Sequence, residues 1–141
     1  MSGPAFGALH RDLERIVGRA NVVDISTAPE LLVDRSVWSG LTGAAELAVF
    51  PRTTDEVQRV VAWCSRFSIP LVQRGGGTGM VGGAVPAAGS LVLGLKRLRE
   101  VRSFNPELRQ LEVEAGLTTA EVQKLVASRG LSFPPDPGAA D

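Results

Sequence analysis

Gln73-Arg74-Gly75-Gly76-Gly77-Thr78-Gly79-Met80-Val81-Gly82-Gly83 carries six glycines and follows the short apolar run Leu71-Val72 directly. Glycine at that density lets successive backbone N–H groups converge on a concavity, with no Cβ in the way of an approaching phosphate. The run is therefore expected to be an anion nest rather than a linker, which would mix in serine and charged residues. Gly77-Thr78-Gly79-Met80-Val81-Gly82 also matches the dinucleotide spacing G-x-G-x-x-G. That fingerprint needs a helix to open at the loop. The chain continues instead through Gly82-Gly83-Ala84-Val85-Pro86-Ala87-Ala88-Gly89, which breaks a helix repeatedly. A P-loop is excluded because no Gly-Lys-Ser or Gly-Lys-Thr is present.

Upstream of the glycines, Leu47 to Phe50 predict a buried strand stopped by Pro51. Thr53 and Glu56 then form a capping box, the threonine hydroxyl accepting from the first turn and the glutamate reaching back to the cap N–H. The helix it opens carries Val57, Val60, Val61 and Cys64 on its apolar face and ends before Pro70, where Leu71 to Gln73 begin a second strand. This is a βαβ unit. Downstream, Leu91 to Leu95 and Leu111 to Ala115 predict strands, the latter alternating with Glu112 and Glu114. Thr118 and Glu121 form another capping box, and Val122, Leu125 and Val126 make a helix face before Gly130. The starts Thr53-Thr-Asp-Glu-Val-Gln and Thr118-Thr-Ala-Glu-Val-Gln are alike, which fits either duplication or the recurrence of good capping residues. At the N-terminus, Leu9, Leu13, Ile16 and Val17 share one face of a helix ending near Gly18, and Thr27 to Gly43 give mixed loop signals.

Composition narrows the function classes. At 141 residues, with 44% hydrophobic residues, the chain is the size of one domain. Lys and Arg balance Asp and Glu, 15 against 15, so no net field favours nucleic acid or an anionic membrane. No stretch is long and apolar enough to span a bilayer, and Met1-Ser2-Gly3-Pro4 does not open a signal peptide, so a cytoplasmic location is expected. Cys64 has no partner for a disulfide and supplies no metal cluster; it reads as core. His10, the single histidine, reads as a surface residue of the first helix. Trp38 and Trp63 are expected near a subdomain seam.

Taken in order, Asp34 to Trp38, Val49-Phe-Pro-Arg-Thr-Thr-Asp-Glu-Val57, Pro70-Leu-Val-Gln-Arg-Gly-Gly-Gly-Thr-Gly79, Gly82-Gly83-Ala84 with Pro86, Leu95 to Val101 and Phe133-Pro134-Pro135-Asp136-Pro137 resemble the FAD-binding domain of the p-cresol methylhydroxylase and vanillyl-alcohol oxidase superfamily. Within it the resemblance is nearest to the glycolate oxidase GlcD, D-lactate dehydrogenase and D-2-hydroxyglutarate dehydrogenase branch. It implies an α/β (α+β) fold, the two-subdomain FAD-binding PCMH-type fold, with a small parallel sheet up to about Arg74, a larger mixed sheet beyond it and FAD between the two. Residues 1–33 are then an N-terminal helix and lead-in, and 34–141 the N-terminal part of the domain.

The resemblance also assigns cofactor contacts to Arg74, Gly75, Gly76, Gly77, Thr78 and Gly79 at the pyrophosphate, with Gly82 and Gly83 packing beside the flavin. Pro135 and Asp136 are added, Asp136 either touching the ribose or adenine or merely ending a turn. The Arg74 side chain either pairs with phosphate or makes a structural ion pair. Where some members attach the flavin through a histidine, this chain has Thr78, so the FAD is expected to be noncovalent. Family members continue with a second glycine-rich stretch and a substrate domain carrying catalytic and metal-binding histidines. In this chain no catalytic residue and no metal ligand is assigned, and the fold is expected to be incomplete at the C-terminus. The expected function is the FAD-binding portion of a flavin-dependent oxidoreductase acting on a small 2-hydroxy acid, inactive alone and prone to self-associate through an unfinished domain edge. The alternative is a noncatalytic module binding a nucleotide or a partner protein.

Overall fold

The computed structural model describes residues 6–137, with the side chains of residues 6–9 excepted, so the expectations on Met1 to Pro4 and on the Leu9 side chain lie outside the described residues. Two compact units divide the chain after Arg97.

The first unit is built on α1 (Phe6–Val17), β1 (Val22–Asp24), β2 (Leu47–Val49), α2 (Thr54–Phe67), β3 (Leu71–Arg74) and β4 (Leu91–Gly94). Its sheet has the order β1-β2-β4-β3, with β1 antiparallel to β2 and the other pairs parallel. The central strands β2 and β4 are buried throughout, as parallel strands covered on both faces require. Alternate residues feed two cores. Leu47, Val49, Leu91 and Leu93 pack with Leu13, Val17, Val60, Trp63 and Cys64, while Ala48, Phe50 and Val92 pack with Ile25, Leu31 and Ala45.

Three expectations change here. β4 follows the glycine loop yet joins the first sheet, inserting between β2 and β3, so the small sheet does not end at Arg74 and is mixed rather than parallel. The buried face of α2 is Val60, Trp63 and Cys64, whereas Val61 is exposed; Trp63 stands in the core with its ring 5.2 Å from that of Phe67. Val61 and Trp63 are two residues apart, about 200° around the helix, so the face that buries Trp63 with Val60 and Cys64 turns Val61 outward. At the start of α2, Thr53 Oγ1 accepts from Glu56 N at 3.2 Å, but Glu56 Oε2 accepts from Arg52 N, one residue ahead of the cap. β1 carries no sequence signal because it is only Val22–Asp24.

The second unit holds β5 (Val101–Asn105), β6 (Gln110–Val113) and α3 (Thr119–Ala127). β5 and β6 pair antiparallel in a two-stranded sheet, turning at Arg109 with φ of 52°. β5 is mostly exposed, with Arg102, Ser103 and Asn105 in its run, which is why alternation did not reveal it. α3 opens on a complete capping box, Thr118 accepting from Glu121 N and Glu121 accepting from Thr118 N at 2.9 Å. Val122 and Val126 are buried beneath it. Arg99 pairs with Glu121 and Arg102 with Glu114.

Candidate functional site

Residues 75–90 connect two parallel, adjacent strands without a helix, a connection that normally requires one. Something else must fix the loop, and the preceding segment does. The segment Thr27 to Gly43, where the loop signals are mixed, and the two residues before it form the 3-10 turns Ile25–Thr27, Pro29–Leu32 and Arg35–Ser39. Arg74, at the end of β3, is buried and sends Nη1 to Val33 O at 2.7 Å and Nη2 to Glu30 O at 3.1 Å, with a longer contact to Ala84 O at 3.5 Å. Its side chain is thus held by carbonyls rather than by a carboxylate. Gly77, at φ of 70°, lies so close over the guanidinium that any Cβ there would collide with it. Glycine is required at that point both for the left-handed backbone and for the approach.

Asp34 supplies the second tie. Its Oδ1 accepts from Ser36 N at 2.8 Å and Ser36 Oγ at 2.5 Å, and its Oδ2 lies 3.5 Å from Ala84 N. The Ser36 hydroxyl, then the Ser36 amide, with lesser help from the amides of Ala84 and Gly82, hold the Asp34 carboxyl below the ordinary aspartate range. Further along, Pro86 is buried, its carbonyl accepts from Ala44 N at 2.8 Å, and Gly43 packs so tightly on its ring that a Cβ would come within 2.5 Å. Ser90, fully buried, bonds Ala87 O through both N and Oγ.

Between those ties the loop is open. Gly75, Gly76, Thr78, Gly79, Met80 and Val81 are exposed, Val81 to 90%. Among the described residues the backbone N–H groups of residues 75–81 make no hydrogen bond to the protein. Gly75 and Gly83 have nothing within 4 Å of where a Cβ would stand, and Gly76 has only Thr78 Cγ2 at 3.4 Å. A row of unpaired amides on cradle-forming glycines, with the Arg74 cation beneath, fits the diphosphate of a dinucleotide.

The loop residues Arg74 to Gly79, Gly82 and Gly83 therefore come together in one segment of the first unit. Pro135 and Asp136 belong to the second unit, in an extended stretch where Gln123 Nε2 donates to Pro135 O at 3.0 Å and Asp136 is exposed. His10 is half-buried on α1, beside a cavity of about 530 Å³ lined also by Asp24, Ser26 and Glu46. Cys64 is buried, and desolvation pushes its thiol up to about 11. Trp38 is 75% exposed. Sequence reasoning passed over Asp34, Ser36, Glu30 and Val33 as site-forming residues; the one signal was Asp34-Arg35-Ser36, whose aspartate and serine two apart suit an Asx turn.

The family described as FAD binding domain matches residues 45–141, a span containing the whole glycine loop. The chain belongs to the FAD binding domain family. It is 33% identical over 116 residues to the glycolate oxidase subunit GlcD of Bacillus subtilis, covering 82% of this chain and 25% of that protein. It is 42% identical over 86 residues to the D-2-hydroxyglutarate dehydrogenase of Xanthomonas citri pv. viticola, covering 61% of this chain and 18% of that one. Among solved structures, p-cresol methylhydroxylase with substrate bound matches with a TM-score of 0.75 at 26% identity, over 89% of this chain and 25% of the other. Alkyldihydroxyacetonephosphate synthase shares the fold with a TM-score of 0.81 at 18% identity, over 95% of this chain and 27% of the other. The chain thus spans between 18% and 27% of the length of each of these relatives. FAD is the cofactor of this domain, and the fold is the PCMH-type FAD-binding fold. No helix among the described residues is long and apolar enough to cross a membrane.

Proposed function

We propose that the open stretch of the glycine loop holds the pyrophosphate of noncovalent FAD, within a flavin-dependent oxidoreductase acting on a 2-hydroxy acid of the D-lactate, glycolate or D-2-hydroxyglutarate type. The observation that carries this reading is the run of amides at 75–81 without protein acceptors, on a loop tied down on both sides. Bound FAD supplies the acceptor for a hydride from the substrate's α-carbon. The chain's own part is to bind and orient. The amides of Gly75, Gly76, Gly77, Thr78 and Gly79 donate to phosphate oxygens, and Gly82 and Gly83 let the flavin approach the backbone. Thr78 forms no bond to the flavin. Pro135 and Asp136 contribute at the nucleotide end.

Residues 34–141 form the N-terminal part of the FAD-binding domain, with 1–33 as lead-in, and no residue of this chain is assigned as the base that takes the hydroxyl proton. The chain alone is accordingly inactive. In the second unit the sheet consists of β5 and β6 alone, each with one unpaired edge, which supports self-association of the isolated chain through that edge. The test is to purify the product of the full reading frame that carries these residues, denature it with acid, and assay dye reduction with each hydroxy acid. All flavin should pass into solution, and one of the hydroxy acids should reduce the dye. Colour left on the precipitate contradicts the noncovalent assignment, and a colourless folded protein supports the noncatalytic alternative.

A further inference from the structure

Asp34 is one carboxylate set against three points of a loop that lies far from it in sequence. Its Oδ2 is 3.5 Å from Ala84 N and 3.7 Å from the point where Gly79 would carry a Cβ, and the Gly82 amide helps to hold its charge. The carboxylate is buried and itself held from behind by Ser36, only 2% exposed, through both amide and hydroxyl. A buried carboxylate needs several donors to stay ionised, and those available here are Ser36 and the amides of the loop's returning arm. The Ala84 amide donates to Asp34, whereas the amides of 75–81 make no hydrogen bond to the protein among the described residues.

Resting on the reading of the glycine loop as the FAD site, we propose that Asp34 is a positioning residue, which fixes the returning arm at Gly82 to Ala84 and thereby holds the amides of 75–81 in register for the pyrophosphate. Asp34 touches no ligand in this role. It acts only through the loop, as an internal anion that pairs one arm and leaves the other free.

The consequence is selective for ligands that carry the diphosphate. In the product of the full reading frame, Asp34→Ala is expected to weaken FAD by about tenfold to a hundredfold, the range for losing a hydrogen bond to a charged group. Riboflavin, which lacks the phosphates, should bind as it does to the wild type, so the ratio of the two affinities collapses. Asp34→Asn keeps the shape and serves where Asp34→Ala does not fold. Its amide can accept from Ser36 on one side only by turning an N–H toward Ala84 N on the other, donor against donor, so it should lose FAD affinity as well. A folded Asp34→Asn protein that binds FAD like the wild type overturns the proposal, and so does an equal loss of FAD and riboflavin. Gly76→Val separates the two levels. If it abolishes FAD binding while Asp34→Asn leaves it intact, only the role of Asp34 falls; if Gly76→Val retains FAD, the loop is not the site and both readings fall.

Discussion

The glycine loop has two arms that read alike in sequence and are built on opposite principles. From Gly82 to Ser90 the chain is tied at several points, Ala84 N on Asp34, Val85 N on Gly82 O, Pro86 O on Ala44 N and Ser90 on Ala87 O, while the amides of Gly83, Ala87, Ala88 and Gly89 have no protein acceptor among the described residues. From Gly75 to Val81 no backbone amide makes a hydrogen bond to the protein among the described residues, and every residue but Gly77 is exposed. Glycine serves different ends in the two arms. Gly82, at φ of 79°, turns the chain and leaves room for Leu41, whereas Gly75 and Gly76 have ordinary φ and open space around them, so neither the backbone nor the packing of the protein explains their lack of a side chain. Glycine where the fold does not need it points to a requirement set by a ligand.

Breaking the tie between the arms should have the largest effect. Arg74→Ala leaves the carbonyls of Val33 and Glu30 without donors, and the expected loss is about 3 kcal/mol in denaturant unfolding. Gly77→Ala should cost a comparable ~2–4 kcal/mol, because the left-handed backbone is strained with any Cβ and the guanidinium must move aside. A loss below about 1 kcal/mol in either variant would show that the clamp is not what fixes the loop.

Acid sharpens the same comparison. Asp34 is held below the ordinary aspartate value of about 3.9, so its contribution to stability is complete above that value and is lost as pH falls through the lower, folded-state one. Asp34→Asn cannot titrate. The stability gap between wild type and Asp34→Asn should therefore be constant at neutral pH and shrink below about pH 4. Asp24, lowered by Ser26, and Glu114, lowered mainly by the Glu100 amide, add to the acid slope of both proteins and cancel in the difference. A gap that widens toward acid contradicts the placement of the charge.

The smallest effect concerns the two helix starts. Thr118 sits in a complete capping box, while at Thr53 the glutamate bonds a different amide. Thr→Ala at each cap should cost about 1 kcal/mol, with Thr118→Ala the larger because it also frees Glu121 from the Thr118 hydroxyl, 3.1 Å away. Equal costs would mean that the threonine hydroxyl alone sets the value.

Much of this was legible locally. Periodicity and caps located α1, α2, α3, β2, β3, β4 and β6, and glycine density located the loop. What escaped were the properties set by distant residues. That β4 inserts between β2 and β3 is a pairing choice no local pattern encodes, and β1 and β5 lack the length or alternation to be seen. The Arg74 side chain left two readings open because its partners are carbonyls of Glu30 and Val33, and a carbonyl acceptor carries no residue-type signature. Aliphatic spacing put Val61 on the buried face of α2, but burying the larger Trp63, on the opposite side of the helix, leaves Val61 exposed.

The central claim is that residues 75–81 are left bare for a pyrophosphate, and Gly76→Val tests it most directly, since the nearest atom to the new Cβ is Thr78 Cγ2 at 3.4 Å and the backbone there is unstrained. FAD affinity and thermal unfolding of the ligand-free protein should be measured side by side for wild type and variant, each as the product of the full reading frame. The expected result is an unfolding temperature within a few degrees of the wild type, corresponding to less than about 1 kcal/mol, together with FAD binding weakened by at least ~100-fold. A folded Gly76→Val protein that holds FAD as tightly as the wild type would contradict the account.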